Sequence, residues 1–186
     1  GNREVLPLFA KLPDRNSNFP KYCCFYPAIC YICSQSIRGM EQLVELFRRL
    51  LKLTDVTYIR YLHGQIDWSA RMVGIVGPRG VGKTTMLLQH IKLHHSPDDT
   101  LFVNADDIYF AEHRLFDLAS DFYKNGGKHL FIDEVHKYQD WAKELKMIYD
   151  YYPDFQVVFT GSSILEIYKG NADLSRRVLS YFLSGL

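Results

Sequence analysis

The residues that most clearly predict chemistry form a glycine-rich loop at 77–84, with the sequence GPRGVGKT. The loop fits the pattern G-x-x-x-x-G-K-[ST], with Gly77, Gly82, Lys83 and Thr84 at its fixed positions. Glycine tolerates backbone angles that a Cβ would forbid, so successive N–H groups of such a loop can converge on a phosphate. The loop therefore predicts a binding site for the phosphates of a nucleoside triphosphate, with ATP as the expected nucleotide.

Two side chains at the end of this loop have distinct expected roles. Lys83 should reach the β- and γ-phosphates, and the hydroxyl of Thr84 should ligate Mg²⁺. The helix that follows directs its positive N-terminus at the same anion. The full set of expected nucleotide-binding residues is Gly77, Pro78, Arg79, Gly80, Val81, Gly82, Lys83, Thr84 and Thr85.

A second candidate element is the segment HLFIDE at 129–134. An apolar strand that ends in Asp133 would place this carboxylate beside the loop, where it can hold hydrated Mg²⁺. Glu134 points differently and can orient and deprotonate the attacking water. Between Lys83 and this pair there is room for a complete strand–helix unit, which is typical of additional-strand P-loop ATPases with a catalytic glutamate.

Two further elements could complete a hydrolytic site. The strand-like run VVFTGSS would place Thr160 or Ser162 near the γ-phosphate as a sensor or water-positioning residue, and the alternative is an ordinary polar turn. Arg176 or Arg177 could stabilise developing phosphate charge, in cis or in trans from a neighbouring subunit of a homo-oligomer. A basic turn on a solvated helix explains these arginines equally well.

The elements that must position these residues follow from the apolar pattern. Short apolar runs predict buried parallel strands at 72–76, 100–105, 129–133 and 156–160. Helical spacing of apolar residues predicts helices at 40–53, 56–66, 84–95, 111–124 and 140–151. Strands that alternate with helices predict a three-layer α/β fold with a mainly parallel sheet and right-handed crossovers.

The first part of the chain differs in composition from the rest. Residues 1–39 are rich in Pro, Asn, Cys and aromatic residues and have no sustained helical or strand period. The expected organisation is therefore an irregular segment at 1–39 and a P-loop core at 40–186, which the resemblance described below implies is AAA-like. One hypothesis is that Met40 is the start of the natural chain.

All four cysteines lie within the apolar run 22–33, at Cys23, Cys24, Cys30 and Cys33. Such clustering argues against a secreted disulfide scaffold, whose cysteines would be spread as staples. The spacing of Cys30 and Cys33 is compatible with a zinc site, but no second pair or suitably spaced histidine follows closely. Buried thiols packed among aromatic rings are the preferred interpretation.

Charge and hydropathy narrow the possible partners only slightly. A net charge of +1 gives no strong field for nucleic acid or an anionic membrane, although a local basic patch could exist. The longest apolar run, at 22–33, is too short to span a bilayer and is interrupted by Pro27. A cytoplasmic protein without membrane contact is expected.

Together the motifs resemble the AAA-type ATPases of bacteria and archaea that pair an ATPase core with a carboxy-terminal domain of unknown function. The similarity covers 40–186 and rests on VGIVGPRGVGKTTMLLQ, HLFIDEVHKY, VVFTGSS and DLSRR. The resemblance implies an ATPase core without its helical lid and later domain. Weak activity of this chain is expected if the lid or a trans arginine is needed.

The leading hypothesis is Mg²⁺-dependent ATP hydrolysis coupled to conformational change. The main alternative is a nucleotide-dependent switch that acts on DNA or a protein partner with little hydrolysis. Its support is limited to local basic spots at 136–138 and 92–95, which solvated helix ends explain more simply. A small-molecule kinase is disfavoured by Glu134, by the additional strand and by the lack of a visible arginine-rich lid segment.

Overall fold

A computed structural model describes residues 27–162, 174 and 176–185 of the chain, with side chains from residue 39 onward. In this part five parallel strands form one sheet in the order β2-β3-β4-β1-β5. The strands are β1 (Met72–Val76), β2 (Thr100–Asn104), β3 (His129–Asp133), β4 (Gln156–Gly161) and β5 (Leu179–Phe182). The predicted α/β fold with a parallel sheet is confirmed.

Helices cover both faces of the sheet. They are α1 (Pro27–Leu53), α2 (Lys83–His94), α3 (Tyr109–Glu112), α4 (Leu115–Lys124) and α5 (Trp141–Tyr151). The connection from β1 to β2 runs toward one side of the sheet, and the connections from β2 to β3 and from β3 to β4 run back toward the other side. Since each of these crossovers is right-handed, α2 lies on one face of the sheet and α4 and α5 lie on the other. In agreement, α1 contacts α2 and β2, while α4 contacts α5. Within the described segments, no helix combines the length and hydrophobicity that a membrane span requires.

The sheet core explains why its strands were recognisable in the sequence. All five residues of β1 are buried, and so are the last four of β3. A parallel strand covered on both faces contains a continuous apolar run rather than alternating residues. On the α1 side, the rings of Phe47 and Phe102 stack with their centroids 6.4 Å apart.

The strand order brings the predicted motifs to one edge of the sheet. β4 lies between β1 and β3, so the strand before the glycine-rich loop and the strand that ends in Asp133 are not neighbours. Their common partner pairs Gly161 with Val76 and Phe159 with Ile132. Because all strands are parallel, their carboxyl ends converge, and the predicted additional strand is confirmed by this topology.

Two helix predictions in the first third of the chain are wrong in their limits. α1 begins at Pro27 rather than at Met40, and proline at the first turn of a helix loses no backbone hydrogen bond. The helix expected at 56–66 is reduced to a 3-10 turn at Tyr61–Gly64. In place of helical hydrogen bonds, the carbonyls of Asp55 and Tyr58 accept hydrogen bonds from the side chain of Gln89 on α2, at 2.7 and 2.8 Å.

Two other elements also differ from the sequence pattern. The helix expected at 111–124 is divided, because the chain is extended at His113 and Arg114 between α3 and α4. β5 was not predicted, since it is an edge strand whose residues are exposed or half-buried. Cys23 and Cys24 lie outside the described residues, and the side chains of Cys30 and Cys33 lie outside them too, so the cysteine interpretations stay predictions.

The end of β5 contacts the beginning of the glycine-rich loop. The Leu183 N–H donates to the Val76 carbonyl at 2.7 Å, and the Gly77 N–H donates to the Gly161 carbonyl at 3.3 Å. A Cβ on Gly77 would lie 2.2 Å from the carbonyl oxygen of Leu183. Glycine is therefore required at this position by the packing of β5 against the loop.

We expect Gly77→Ala to lower the free energy of unfolding by about 1–3 kcal/mol, because the backbone at Leu183 must move to admit the methyl group. Gly64→Ala is the matched control, since a Cβ at Gly64 meets no atom within 4 Å. Urea denaturation of the nucleotide-free protein measures both variants. Equal stability changes in the two would contradict the packing argument.

Candidate functional site

The glycine-rich loop joins β1 to α2 and has the backbone geometry that its sequence predicts. Gly80 and Gly82 have φ angles of 80° and 91°, in the left-handed region that favours glycine. A Cβ at either position would meet no atom within 4 Å. The backbone angle rather than crowding therefore requires glycine here. Gly82 directly precedes α2, so the loop leads into the helix N-terminus.

Lys83, the first residue of α2, is held in the loop rather than in solvent. Its side chain is buried, and its ammonium donates to the carbonyls of Gly77 and Pro78 at 2.9 Å each. Its Nζ lies 3.9 Å from Oε1 of Glu134. A buried cation needs such partners, because an unpaired charge away from water is costly. The loop, the lysine and the acidic strand thus meet at one point.

The carboxylate of Asp133 joins three predicted motifs. Thr84 Oγ1 donates to Asp133 Oδ2 at 2.6 Å, and Thr160 Oγ1 donates to Asp133 Oδ1 at 2.5 Å. Asp133 and Thr160 are both buried. Two hydroxyl oxygens and a carboxylate in contact are the kind of oxygen ligands that Mg²⁺ prefers. The structure thus brings Thr84 and Asp133, the two expected metal ligands, together.

Glu134 adopts a conformation that turns the chain away from β3. Its φ and ψ are 52° and 39°, and it is the only non-glycine residue with positive φ in the described ranges. Such a conformation costs roughly 1–3 kcal/mol and is often found at functional sites. The Glu134 N–H donates to Thr160 Oγ1 at 2.9 Å, which stabilises the turn. The same threonine hydroxyl therefore contacts both acidic residues.

A histidine that no sequence motif assigns to the site completes this arrangement. His136 Nε2 lies 3.3 Å from Oε2 of Glu134 and 3.0 Å from Oγ of Ser162. The Ser162 N–H donates to His136 Nδ1 at 3.4 Å. A backbone amide can only donate, so in the neutral ring Nε2 carries the proton and can offer it to Glu134 or Ser162.

The sequence signal for His136 was weak. It lies in a short 3-10 turn, Val135–Lys137, directly after Glu134. In the sequence, the segment 136–138 has the pattern of a basic spot on a helix end, because no periodic pattern shows which way so short a turn directs its side chains. Only the turn geometry brings the imidazole back to the carboxylate.

Residues 69–186 match the AAA domain family, over more than half of the chain. The chain belongs to this family. Its core is that of a nucleotide-binding AAA ATPase, which confirms the resemblance to AAA-type ATPases. That such cores are normally followed by a carboxy-terminal domain stays an expectation of the resemblance.

Two further comparisons add little to the family match. A comparison with curated protein sequences gave no significant match. A solved structure described as "Structural Basis for Katanin Self-Assembly" aligns with a TM-score of 0.47 and 18% sequence identity. The alignment covers 62% of this chain and 41% of that chain. The AAA chain described here therefore spans about two-fifths of that structure's chain.

The predicted arginines of this AAA core lie far from the loop of their own chain. Arg177 pairs with Asp150, with Nε and Nη2 at 3.0 and 3.3 Å from the two carboxylate oxygens. Both arginines precede β5, which runs parallel to β1 with Leu179 opposite Val73. They therefore lie at the start of β1, about 13 Å from the edge that carries the loop. This position offers no support for a role in cis, and the cis and trans roles both stay predictions.

The remaining predicted residues surround the mouth of the loop. Pro78, Arg79 and Gly80 are exposed, as is Thr85 on the first turn of α2, while Val81 is half-buried. Ser163 and the segment 171–173 lie outside the described residues. The site that the structure brings together is thus formed by Lys83, Thr84, Asp133, Glu134, His136, Thr160 and Ser162.

We expect Thr160→Val to lower the free energy of unfolding by about 1–3 kcal/mol, because it leaves an oxygen of Asp133 and the N–H of Glu134 without their partner. Thr160→Ser retains the hydroxyl and is the matched control. Chemical denaturation without nucleotide compares the three proteins. If the valine variant were as stable as the wild type while the serine variant lost stability, the hydroxyl would have no such role.

Proposed function

We propose that this chain binds Mg²⁺–ATP and hydrolyses it to ADP and phosphate. The observation that carries the proposal is the buried carboxylate of Asp133, which accepts hydrogen bonds from Thr84 and Thr160. This contact joins the phosphate loop to the acidic strand. Glu134 follows next in the chain, within 4 Å of the loop lysine.

The residues present fit the phosphates of a nucleotide. The loop between β1 and α2 contains glycines with positive φ at two positions, Gly80 and Gly82. The N-terminus of α2 contributes partial positive charge and unpaired N–H groups. Lys83 adds an ammonium group that can donate three hydrogen bonds. In the structure it donates two of them to carbonyls of the loop. These groups would hold the β- and γ-phosphates.

The residues also fit a magnesium ion. Thr84 supplies a hydroxyl and Asp133 a carboxylate, and these are hard oxygen ligands with the charge that Mg²⁺ prefers. When bound, Mg²⁺ neutralises charge on the phosphate oxygens as the terminal phosphoryl group is transferred. Thr160 holds the second oxygen of Asp133, so the orientation of the carboxylate does not depend on the ion alone.

Glu134 is the proposed general base. Its carboxylate would accept a proton from the attacking water, while the water oxygen forms the new bond to the terminal phosphorus and ADP departs. The Glu134 side chain is held between Lys83 Nζ and His136 Nε2, at 3.9 and 3.3 Å from its two oxygens. His136 would act as a positioning residue, because it contacts the carboxylate rather than the reacting phosphate.

The proposal includes a second copy of the chain as a source of positive charge. Neither Arg176 nor Arg177 lies near the loop of its own chain. Arg176 is exposed on a turn and so available to a neighbouring subunit. An arginine supplied in trans would stabilise charge that develops during phosphoryl transfer.

We expect Glu134→Gln to reduce ATP turnover about 100-fold or more while ATP binding is retained, because the amide cannot accept the proton. Phosphate release measures turnover, and a fluorescent ATP analogue measures binding. Glu112→Gln, on the exposed surface of α3, is the matched control and should retain turnover. Unchanged turnover in Glu134→Gln would remove this residue from the mechanism.

We expect Lys83→Ala to abolish ATP binding, because the variant loses the ammonium that contacts the loop carbonyls. Among the described residues, no other lysine contacts this loop. Equilibrium titration with the same fluorescent analogue tests this without relying on hydrolysis. Lys124→Ala, at the end of α4, changes an exposed lysine and should bind as the wild type does. Micromolar binding by Lys83→Ala would count against the assigned phosphate site.

A further inference from the structure

Five of the seven histidines lie together around the carboxyl-terminal half of α2. This histidine cluster consists of His63, His90, His94, His95 and His129. His63 Nε2 lies 3.1 Å from His90 Nδ1, and His90 Nε2 lies 3.2 Å from His95 Nε2. The phosphate site uses none of these residues.

We propose that His63, His90 and His94 form a binding site for Zn²⁺. One ring nitrogen from each lies within 4.8 Å of the others. His90 and His94 are four residues apart on α2, a spacing that places both side chains on the same helix face. His63 approaches from the 3-10 turn Tyr61–Gly64, so the three ligands come from two separate elements.

One of the three nitrogen–nitrogen distances already suits a tetrahedral zinc ion. Zinc–nitrogen bonds of 2.0–2.1 Å place the ligand nitrogens of such an ion about 3.3 Å apart. The facing nitrogens of His63 and His90 are already at 3.1 Å. His94 is exposed, so a side-chain rotation can complete the set, and water can take the remaining position. Imidazole favours zinc and related transition metals over magnesium, which prefers oxygen.

The surroundings hold the central ligand in place. His90 is buried, and the Trp68 ring stacks on it at 3.7 Å with an angle of 11°. If His90 binds the ion through Nδ1, its Nε2–H can donate to Nε2 of His95. A ligand histidine in metalloproteins usually donates its second N–H in this way, which orients the ring.

Without a metal ion, the contact between His63 and His90 is a hydrogen bond in which one ring N–H donates to the lone pair of the other ring. A cation would instead bind one lone pair from each ring.

The proposed site lies partly within and partly outside the residues that match the family. His63 precedes the residues that match the AAA domain family, while His90 and His94 lie within them. A bound ion would therefore tie the upstream loop to α2, the helix that begins at Lys83 in the phosphate site. The inference stands apart from the proposed hydrolysis and does not depend on it.

Zinc titration of untagged protein tests the site directly. The protein is stripped with a chelator, freed of it, and titrated with zinc chloride in competition with a chromophoric chelator. We expect one zinc ion per chain and a rise in melting temperature on binding. His94→Ala should weaken binding at least about 10-fold and lose the thermal shift, since it removes a ligand. Because His94 is exposed, this variant should still fold.

The control is His113→Ala, which removes a histidine outside the cluster whose ring contacts Tyr109. It should bind zinc as the wild type does. His63→Ala tests the ligand on the upstream turn and should weaken binding as His94→Ala does. Equal zinc affinity in His94→Ala and His113→Ala, or no stoichiometric binding by the wild type, would overturn the proposal.

Discussion

The buried carboxylate of Asp133 is the contact on which the site depends. A charged group away from water must be hydrogen-bonded, and bonds to charged groups contribute about 1.5–3 kcal/mol each. Its two partners come from different elements, Thr84 on α2 and Thr160 on β4. A displacement of either element would leave a buried carboxylate oxygen without a donor. The charge therefore fixes the loop helix relative to the sheet, and Glu134 takes its orientation from the same threonine.

The sheet makes this contact possible. Parallel strands present their carboxyl ends at one edge, and β4 between β1 and β3 supplies the hydroxyl that a direct pairing of those strands would lack. At the other side of β1, β5 approaches so closely that Gly77 has no room for a Cβ. The glycine-rich loop is therefore positioned from both neighbouring strands before any ligand binds.

The sequence predicted those parts whose residues are determined by burial or by backbone conformation. The central strands are continuous apolar runs, which predict buried parallel strands. The glycine-rich loop that ends in Gly82-Lys83-Thr84 fits a motif that is specific for phosphate binding. Features that depend on the packing of distant segments were missed. β5 has no strong apolar pattern, and His136 reaches Glu134 only because of a three-residue turn. The arginines show the same limit, since their residue types fit a catalytic role while the register of β5 carries them to the opposite end of β1.

α2 connects the phosphate site to the segment before the AAA core. Its first residue lies among the loop carbonyls, whereas its later turns bind the upstream loop through Gln89, Lys92 and His90. Gln89 and Lys92 donate to backbone carbonyls of the upstream loop. These hydrogen bonds do not depend on the side chains of the loop, because every residue has a backbone carbonyl. The contact of His90 with His63 is different in kind, because it joins two side chains and can change with their ligand. An ion bound at His90 would therefore contact the same helix that carries Lys83 and Thr84 at its first turn.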